Sequence, residues 1–379
     1  MALFDVAIIG AGINGCASAH FLTHAGLSVA LFDKGGIAAG GSGAAGAFIS
    51  PKISKSGPLK RLMDDAYAFS LSFYDTVYPK HLTKTPQLHI AKFDDENAKV
   101  DHFRKHATMK VFERPERFDK LLSETARSFS SVYFEHSGIV DAEAMCRALA
   151  ADAHFYEQEV TELKRLKDAW KLNGVRAKTV LLATGAYDKL VDEPYIKLRG
   201  VWGHRIDIRT TTKIDAIIHH TVSLAPTDAD GVSAIGATHD VHYHPQRSEE
   251  PYDIESGRKE LIEKATGTVR LEAVEVLRDY TGLRSGSNDY LPLLGRLVDA
   301  EATLREYPQL QKGQSIDPDT YRYHPDLYMI NGSGGYGFVL APYLASMLCR
   351  HLVKEEPLDP QLEPLRFFNR WVKMADNDE

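Results

Sequence analysis

Near its start the chain carries a short apolar run, Val6 to Ile9, which gives way to glycines and then to a stretch with helical spacing. A second apolar run, Val29 to Phe32, ends in Asp33. Short apolar runs bounded by glycine suit strands buried on both faces, so the order predicts strand, turn, helix, strand. The same grammar returns near the other end: an apolar run LYMIN from Leu327, a glycine turn GSGGYG, and a helix from Ala341. Between them, Lys178 to Gly185 (KTVLLATG) reads as another buried strand, ending in Ala183-Thr184-Gly185. Pro58 suits the first turn of a helix, and Leu59, Leu62, Met63, Ala66, Phe69, Phe73 and Val77 then share one apolar face. Val140 to Ala151, Ile254 to Ala265 and Leu271 to Arg278 read as helices, and Val160 to Trp170 as strand and turn. Arg199 to Asp240 contains strand alternation (HRIDIRT, VSAIGATHD), whereas Thr85 to Val132 is charged and weakly periodic and reads as an inserted substrate-side segment.

The first turn is Gly10-x-Gly12-x-x-Gly15, placed between strand and helix, with Asp33 closing the second strand. In that setting Gly10 permits the tight turn, Gly12 lets the backbone approach a pyrophosphate, and Gly15 lets the helix pack closely on the strand. The N–H groups and dipole at the helix start favour phosphate, and the Asp33 carboxylate accepts hydrogen bonds from a ribose. The motif implies a dinucleotide-binding protein. Residues 34–47, KGGIAAGGSGAAGA, hold six glycines directly after the second strand, where they let the backbone approach a ligand.

With 379 residues the chain has room for two domains, and its 44% hydrophobic and 26% charged residues are those of an ordinary globular protein. No apolar run approaches the ~18 residues that span a membrane, and no basic n-region precedes the first strand. Cys16, Cys146 and Cys349 form no CxxC pair, so a cytoplasmic location is expected. A net charge of −7 argues against a general nucleic-acid binder. Two local basic groups stand out against it: Lys52, Lys55, Lys60 and Arg61, and Arg366, Arg370 and Lys373 interleaved with Phe367, Phe368 and Trp371. Either group offers charges for phosphates, or lies on a solvated face. His239, His242 and His244 lack a cysteine or acidic partner at ligand spacing, and no metal is expected.

Four ordered motifs, GAGINGC, LLATGA, GLRSGSNDYLPLLG and NGSGGYGFVLAP, resemble the D-amino-acid-oxidase/glycine-oxidase superfamily of FAD enzymes. Within it, residues 41–54, 66–75, 235–240 and 289–310 are most similar to the FAD-dependent oxidoreductase domain of the bifunctional tRNA 5-methylaminomethyl-2-thiouridine biosynthesis proteins. The resemblance implies an α/β fold: a Rossmann-like FAD-binding domain of the D-amino-acid-oxidase type (residues 1–80, 133–195 and 282–379) and a second, mixed-sheet substrate domain (81–132 and 196–281). It implies FAD-dependent oxidative removal of the carboxymethyl arm from 5-carboxymethylaminomethyluridine (or its 2-thio form) at the tRNA wobble position. The products are the aminomethyl nucleoside and glyoxylate. The partners implied are tRNA with that modified uridine and a separate methyltransferase, since the chain has no room for the fused one, and no membrane.

By the same resemblance Arg284, in its GLR setting, binds the substrate carboxylate, and His204 with Arg205 lies on the substrate face. Tyr336 stands where relatives commonly have an arginine, which puts one anionic contact in doubt. Gly10, Gly12, Gly15, Asp33, Ser42, Gly43, Thr184, Gly185, Gly334, Gly335 and Gly337 are the expected FAD contacts, the last three at a helix start facing the flavin. The residues after that turn, 338–342, contain no cysteine, so noncovalent FAD is expected. A small-molecule amine or amino-acid oxidase of glycine- or sarcosine-oxidase type shares the same motifs and stays open, as does a flavin-binding protein without turnover.

Overall fold

The computed structural model describes residues 3–54, 57–187 and 190–374. β1 (Leu3–Ile9) turns into α1 (Ile13–His24) and returns as β2 (Val29–Asp33), parallel to β1 with Val6 opposite Val29 and Ile9 opposite Phe32. α2 (Pro58–Val77) leads to the antiparallel pair β3 (Leu82–Ile90) and β4 (Ser131–Val140). β5 (Val175–Leu182) lies parallel to β1 on the side away from β2. The long strand β6 (Leu198–Arg209), α3 (Ile254–Thr266) and β7 (Glu275–Ser287) come next, followed by β8 (Leu293–Val298), β9 (Tyr323–Asn331), α4 (Gly337–Lys354) and α5 (Leu365–Met374).

These strands make two eight-stranded sheets. The first runs β8-β9-β5-β1-β2 and ends on His154–Glu157, with the short strands Lys164–Arg165 and Trp170–Leu172 hung beside β5; its central pairs are parallel. Strands of such a sheet are covered on both faces, which is why β1, β2 and β5 read as continuous apolar runs. α1, α2 and α4 cover one face, and Trp170, Tyr195, Phe367 and Phe368 fill the other. The second sheet is mixed, in the order β7, β6, Val232–Gly236, Ser223–Leu224, Ile217–His219, β3, β4, Phe48–Ile49. β4 lies wholly in this sheet, and β7 stays in it to Ser287, so the sheets divide the chain at different points from the expected segments.

The residues around the glycine turn show why the first sheet closes where it does. Gly10 has φ +107, and a Cβ there would lie 2.3 Å from the Ala183 carbonyl oxygen of the neighbouring strand end. Only glycine fits that turn. Gly15 presses α1 onto the Gly10 carbonyl, as its place in the motif predicts. At the far end of the chain α4 starts at Gly337, four residues before the expected Ala341, and carries Pro342 inside it. That proline has no N–H for the Phe338 carbonyl; the Tyr74 hydroxyl donates to it instead at 3.0 Å, and Ser70 donates to the Val339 carbonyl at 2.7 Å. These two bonds turn α2, whose buried side is Met63, Ala66, Tyr67, Ser70 and Tyr74; Val77, expected on the buried face, is exposed.

A second expectation is corrected at Leu271 to Arg278. Residues 271–274 are irregular, with Ala273 at φ +52, and from Glu275 the segment is part of β7, where pairing along β6 outweighs helical spacing.

Candidate active site

The ends of β1, β2, β5 and β9 open on one cavity of about 1110 Å³ that continues to the wall of the second sheet. A crevice beyond the carboxyl ends of parallel strands is the usual ligand site of such sheets. Gly10, Gly12, Asp33, Ser42, Thr184, Gly185, Gly334, Gly335, Tyr336 and Gly337 all line it. The Asp33 carboxylate accepts from the Ala11 N–H at 2.8 Å and the Gly35 N–H at 2.9 Å. Those two bonds fix it and leave acceptor sites for a ribose, because a carboxylate offers about four. The Ser42 hydroxyl accepts from the Ile13 N–H at 2.9 Å, which ties the glycine-rich segment to the start of α1. Neither α1 nor α4 has an acidic residue in its first turn, so two helix N-termini present uncompensated positive ends around one cavity. A pinned carboxylate, two positive helix ends and walls of small residues fit the ribose, diphosphate and electron-accepting ring of FAD.

Two expected contacts act differently. Gly15 serves packing, and Gly43 stays off the cavity, its N–H donating to the Ala38 carbonyl at 3.0 Å within the glycine-rich turn. Of the cysteines, Cys16 and Cys146 are buried and Cys349 donates to the Phe21 carbonyl at 3.3 Å; none lines the cavity.

On the second sheet Arg284 of β7 sits opposite Val201 of β6. Its guanidinium lies across β6 at Gly203, where an added Cβ would fall 2.2 Å from Nη2 and 2.7 Å from Cζ. Nη2 donates to the Thr238 carbonyl at 2.9 Å, and no carboxylate among the described residues pairs with it. Desolvation lowers its pKa, and its remaining exposure is to the cavity. A dehydrated cation without a counter-ion is costly, so the site is built for an incoming anion. Tyr336 stands before α4; Lys52 Nζ donates to its hydroxyl at 3.1 Å and lies 4.2 Å from its ring centroid. Lys52 thus brings a cation to this corner of the cavity.

The structure corrects the placement of His204. Successive strand residues face opposite sides, and since Arg199, Val201 and Gly203 line the cavity, His204 faces away from it. It is fully buried under α3, with Nε2 2.9 Å from Asp279 Oδ1, and Arg258 Nε holds the same carboxylate oxygen at 2.8 Å. Arg205 donates to the Ala45 carbonyl at 3.1 Å and stacks over Tyr280, anchoring the glycine-rich segment.

The C-terminal basic group is split, with Arg370 and Lys373 exposed and Arg366 turned inward. Arg366 grips Asp289 at 2.9 and 3.1 Å and the Leu291 carbonyl at 2.8 Å, while Phe367 and Phe368 are buried in the core. In the other group Lys55 lies outside the described residues, Lys60 pairs with Asp64, Arg61 is exposed, and Lys52 enters the cavity.

Sequence reasoning missed the histidines of the second sheet. His89 and His219 line the cavity, and the His219 ring is held between the hydroxyls of Ser50 (3.1 Å) and Ser223 (2.6 Å). Burial first, then Lys92, lowers the His219 pKa to about 4, so it is neutral at pH 7. The signal was weak: only the correct strand parity of Ile217–His219 against β3 reveals that His219 and His89 sit side by side. His239 also lines the cavity, with its pKa lowered by burial and then by Arg284 and Arg199. His242 and His244 lie outside it in the turn that follows, where His244 Nε2 is 3.2 Å from the Ala186 carbonyl oxygen. No described helix is long and apolar enough to cross a membrane.

Comparison with known proteins agrees with this geometry. Residues 5–351 match the model of a family described as FAD dependent oxidoreductase (DAO). A curated relative from Pseudomonas syringae pv. syringae, the tRNA 5-methylaminomethyl-2-thiouridine biosynthesis bifunctional protein MnmC, is 26% identical over 93% of this chain and 56% of its own length. The protein of the same name from Dichelobacter nodosus is 25% identical over 86% of this chain and 56% of its own length. The chain therefore spans little more than half of these relatives. Among solved structures, glycine oxidase from Geobacillus kaustophilus superposes with a TM-score of 0.76 at 20% identity, covering 96% of this chain and 98% of that one. L-proline dehydrogenase from P. horikoshii gives 0.74 at 18% identity, covering 96% and 97%. At these identities the structures show the fold.

Proposed function

Since the chain belongs to the FAD dependent oxidoreductase family, we propose that it removes the glycine-derived arm from 5-carboxymethylaminomethyluridine, or its 2-thio form, at the wobble position of tRNA. The observation that carries the reading is Arg284, a desolvated guanidinium without a carboxylate partner on the cavity wall. Bidentate pairing with the arm's terminal carboxylate relieves that unpaired charge and fixes the adjacent methylene. FAD, held noncovalently, supplies the two-electron acceptor for a hydride from that methylene. The substrate imine left behind takes up water and splits into glyoxylate and the aminomethyl nucleoside. Orientation is the main contribution of the protein, so no dedicated base is required. Lys52 holds Tyr336 by hydrogen bond and cation–π contact on the wall of the same cavity and adds positive charge there. The choice of tRNA rests on the relatives named MnmC.

A second reading, a small-molecule amine oxidase, has one observation in its favour: Arg284 suits any glycine-like carboxylate. Anaerobic mixing of the oxidised holoenzyme with tRNA carrying the modified uridine, beside glycine and sarcosine, separates the two. Bleaching of the flavin by the tRNA, with conversion of its nucleoside to the aminomethyl form, supports the first reading. Bleaching by a free amine and none by tRNA replaces it with the second.

A further inference from the structure

At the mouth of the cavity, one register step outward from the carboxylate anchor, an aromatic ring and an unpaired cation stand together. Arg199 lies two residues along β6 from Val201, the partner of Arg284, and therefore on the same face. That spacing puts it about 6.6 Å farther out, at ~3.3 Å per residue. Its guanidinium lies 5.0 Å from the ring centroid of Tyr290. No carboxylate among the described residues pairs with it, and its Nε is buried without a hydrogen-bond partner. Tyr290 is 64% exposed, the most exposed large hydrophobic side chain among the described residues, and it too lines the cavity.

The loop that displays this ring is held rigidly. Asp289 accepts from Ser287 Oγ at 3.0 Å and the Leu291 N–H at 3.2 Å, and Ser287 donates to the Leu291 carbonyl at 2.7 Å. Arg366 then clamps Asp289 and the Leu291 carbonyl from α5. Tyr290 sits at the tip with φ +64, a left-handed conformation that a tyrosine keeps only where its surroundings impose it. A large apolar ring held in water by the hydrogen bonds on Asp289 and Leu291, beside a guanidinium with no carboxylate partner, is a surface prepared for a flat partner carrying negative charge.

We propose that Tyr290 and Arg199 form a nucleotide clamp. Tyr290 stacks on a base of the RNA that bears the reactive arm, and Arg199 takes the phosphate beside it. The inference rests on the tRNA reading above. It adds the residues by which a nucleic acid is distinguished from a free amine, since glycine or sarcosine held at Arg284 has nothing to place at the mouth. Unstacked bases laid on aromatic rings, with cations on the backbone, are the common mode of single-stranded RNA recognition.

The test measures binding of a fluorescein-labelled anticodon stem-loop to the flavin-loaded enzyme by anisotropy, at several salt concentrations. Tyr290→Ala is expected to raise Kd by roughly 5- to 100-fold, the range for loss of one stacked base, whereas Tyr290→Trp keeps wild-type affinity. Arg199→Ala is expected to weaken binding and to reduce the slope of log K against log salt by about 0.7, the value for one phosphate on a single strand; Arg199→Lys restores the slope. Wild-type Kd in Tyr290→Ala and Arg199→Ala overturns the clamp while leaving the tRNA reading intact. Absence of RNA binding by the wild-type enzyme overturns both. Loss of flavin from Tyr290→Ala overturns the clamp by assigning the ring to the cofactor.

Discussion

Adding a single methyl group at Gly203 tests the anchor without touching Arg284. The Cβ of Gly203→Ala would lie 2.2 Å from Arg284 Nη2, 2.7 Å from Cζ and 3.0 Å from Nε, all within one planar group, so no rotation of a terminal atom relieves the clash. The guanidinium has to move by about 1.2 Å to reach the 3.4 Å of an ordinary contact. That shift breaks the 2.9 Å bond to the Thr238 carbonyl and moves the donor pair off the substrate carboxylate. Misplacement by about 1 Å costs on the order of 10²-fold in rate, or about 2.7 kcal/mol, and loss of one charge-assisted bond costs a similar ~1.5–3 kcal/mol. The expected result is therefore a drop of roughly 10²-fold in kcat/KM, with flavin absorbance and melting temperature close to wild type. The assay is steady-state turnover of whichever substrate the wild type oxidises, tRNA or free amine, since both present the same carboxylate. A flavin-replete Gly203→Ala enzyme with unchanged kcat/KM would refute the placement of Arg284 as the anchor.

Three further outcomes follow from the geometry. Gly10→Ala forces a Cβ to within 2.3 Å of the Ala183 carbonyl oxygen at φ +107, so the protein is expected to purify with little flavin, read as the visible-to-ultraviolet absorbance ratio; a full complement counts against the cradle. His204→Leu removes the bond to Asp279 in a buried site away from the cavity, so it should cost about 1–3 kcal/mol in thermal stability and leave kcat/KM within twofold; a large kinetic loss in folded, flavin-loaded protein would return His204 to the chemistry. His219 is held near pKa 4 when folded against 6.5 ordinarily, so the unfolded chain binds the extra proton between those values and stability falls as pH drops from about 6.5 towards 4. The size is about 2 kcal/mol at pH 5 relative to pH 7, and His219→Gln should remove that part of the pH dependence of the melting temperature; parallel profiles for the two proteins would contradict it.

How much of this was legible in the sequence depended on how local each cause was. The β1–α1–β2 turn and the buried run of β5 are set by neighbouring residues, and the glycine spacing alone located Gly10, Gly12 and Asp33 at a ligand-binding edge. Boundaries failed where a distant strand or side chain decided them. Leu271 to Arg278 has helical spacing, yet pairing with β6 makes its second half a strand. The buried face of α2 is set by Ser70 and Tyr74, whose hydroxyls satisfy carbonyls of α4 more than 260 positions away. An apolar-face argument cannot see polar residues that turn inward to reach a partner.

The site divides along the same line. Arg284 lines the cavity where its motif led one to look, but His204 does not, because a strand's inward parity depends on a partner strand that the sequence does not reveal. Tyr336, where the resemblance leads one to expect an arginine, is the sharper case. From the sequence the arginine's absence reads as a lost contact, whereas in the fold Lys52 reaches Tyr336 across 284 positions and brings a positive charge to the same corner. Electrostatic demand at a cavity is met by whichever element passes nearby, so a substitution in one motif is judged only with the whole wall in view. The C-terminal group argues the converse. Arg366 and Phe367 look like an RNA surface in sequence, yet the fold buries the ring and turns the guanidinium onto Asp289. By gripping that loop, Arg366 acts on the cavity mouth indirectly, through the neighbour it holds beneath Tyr290.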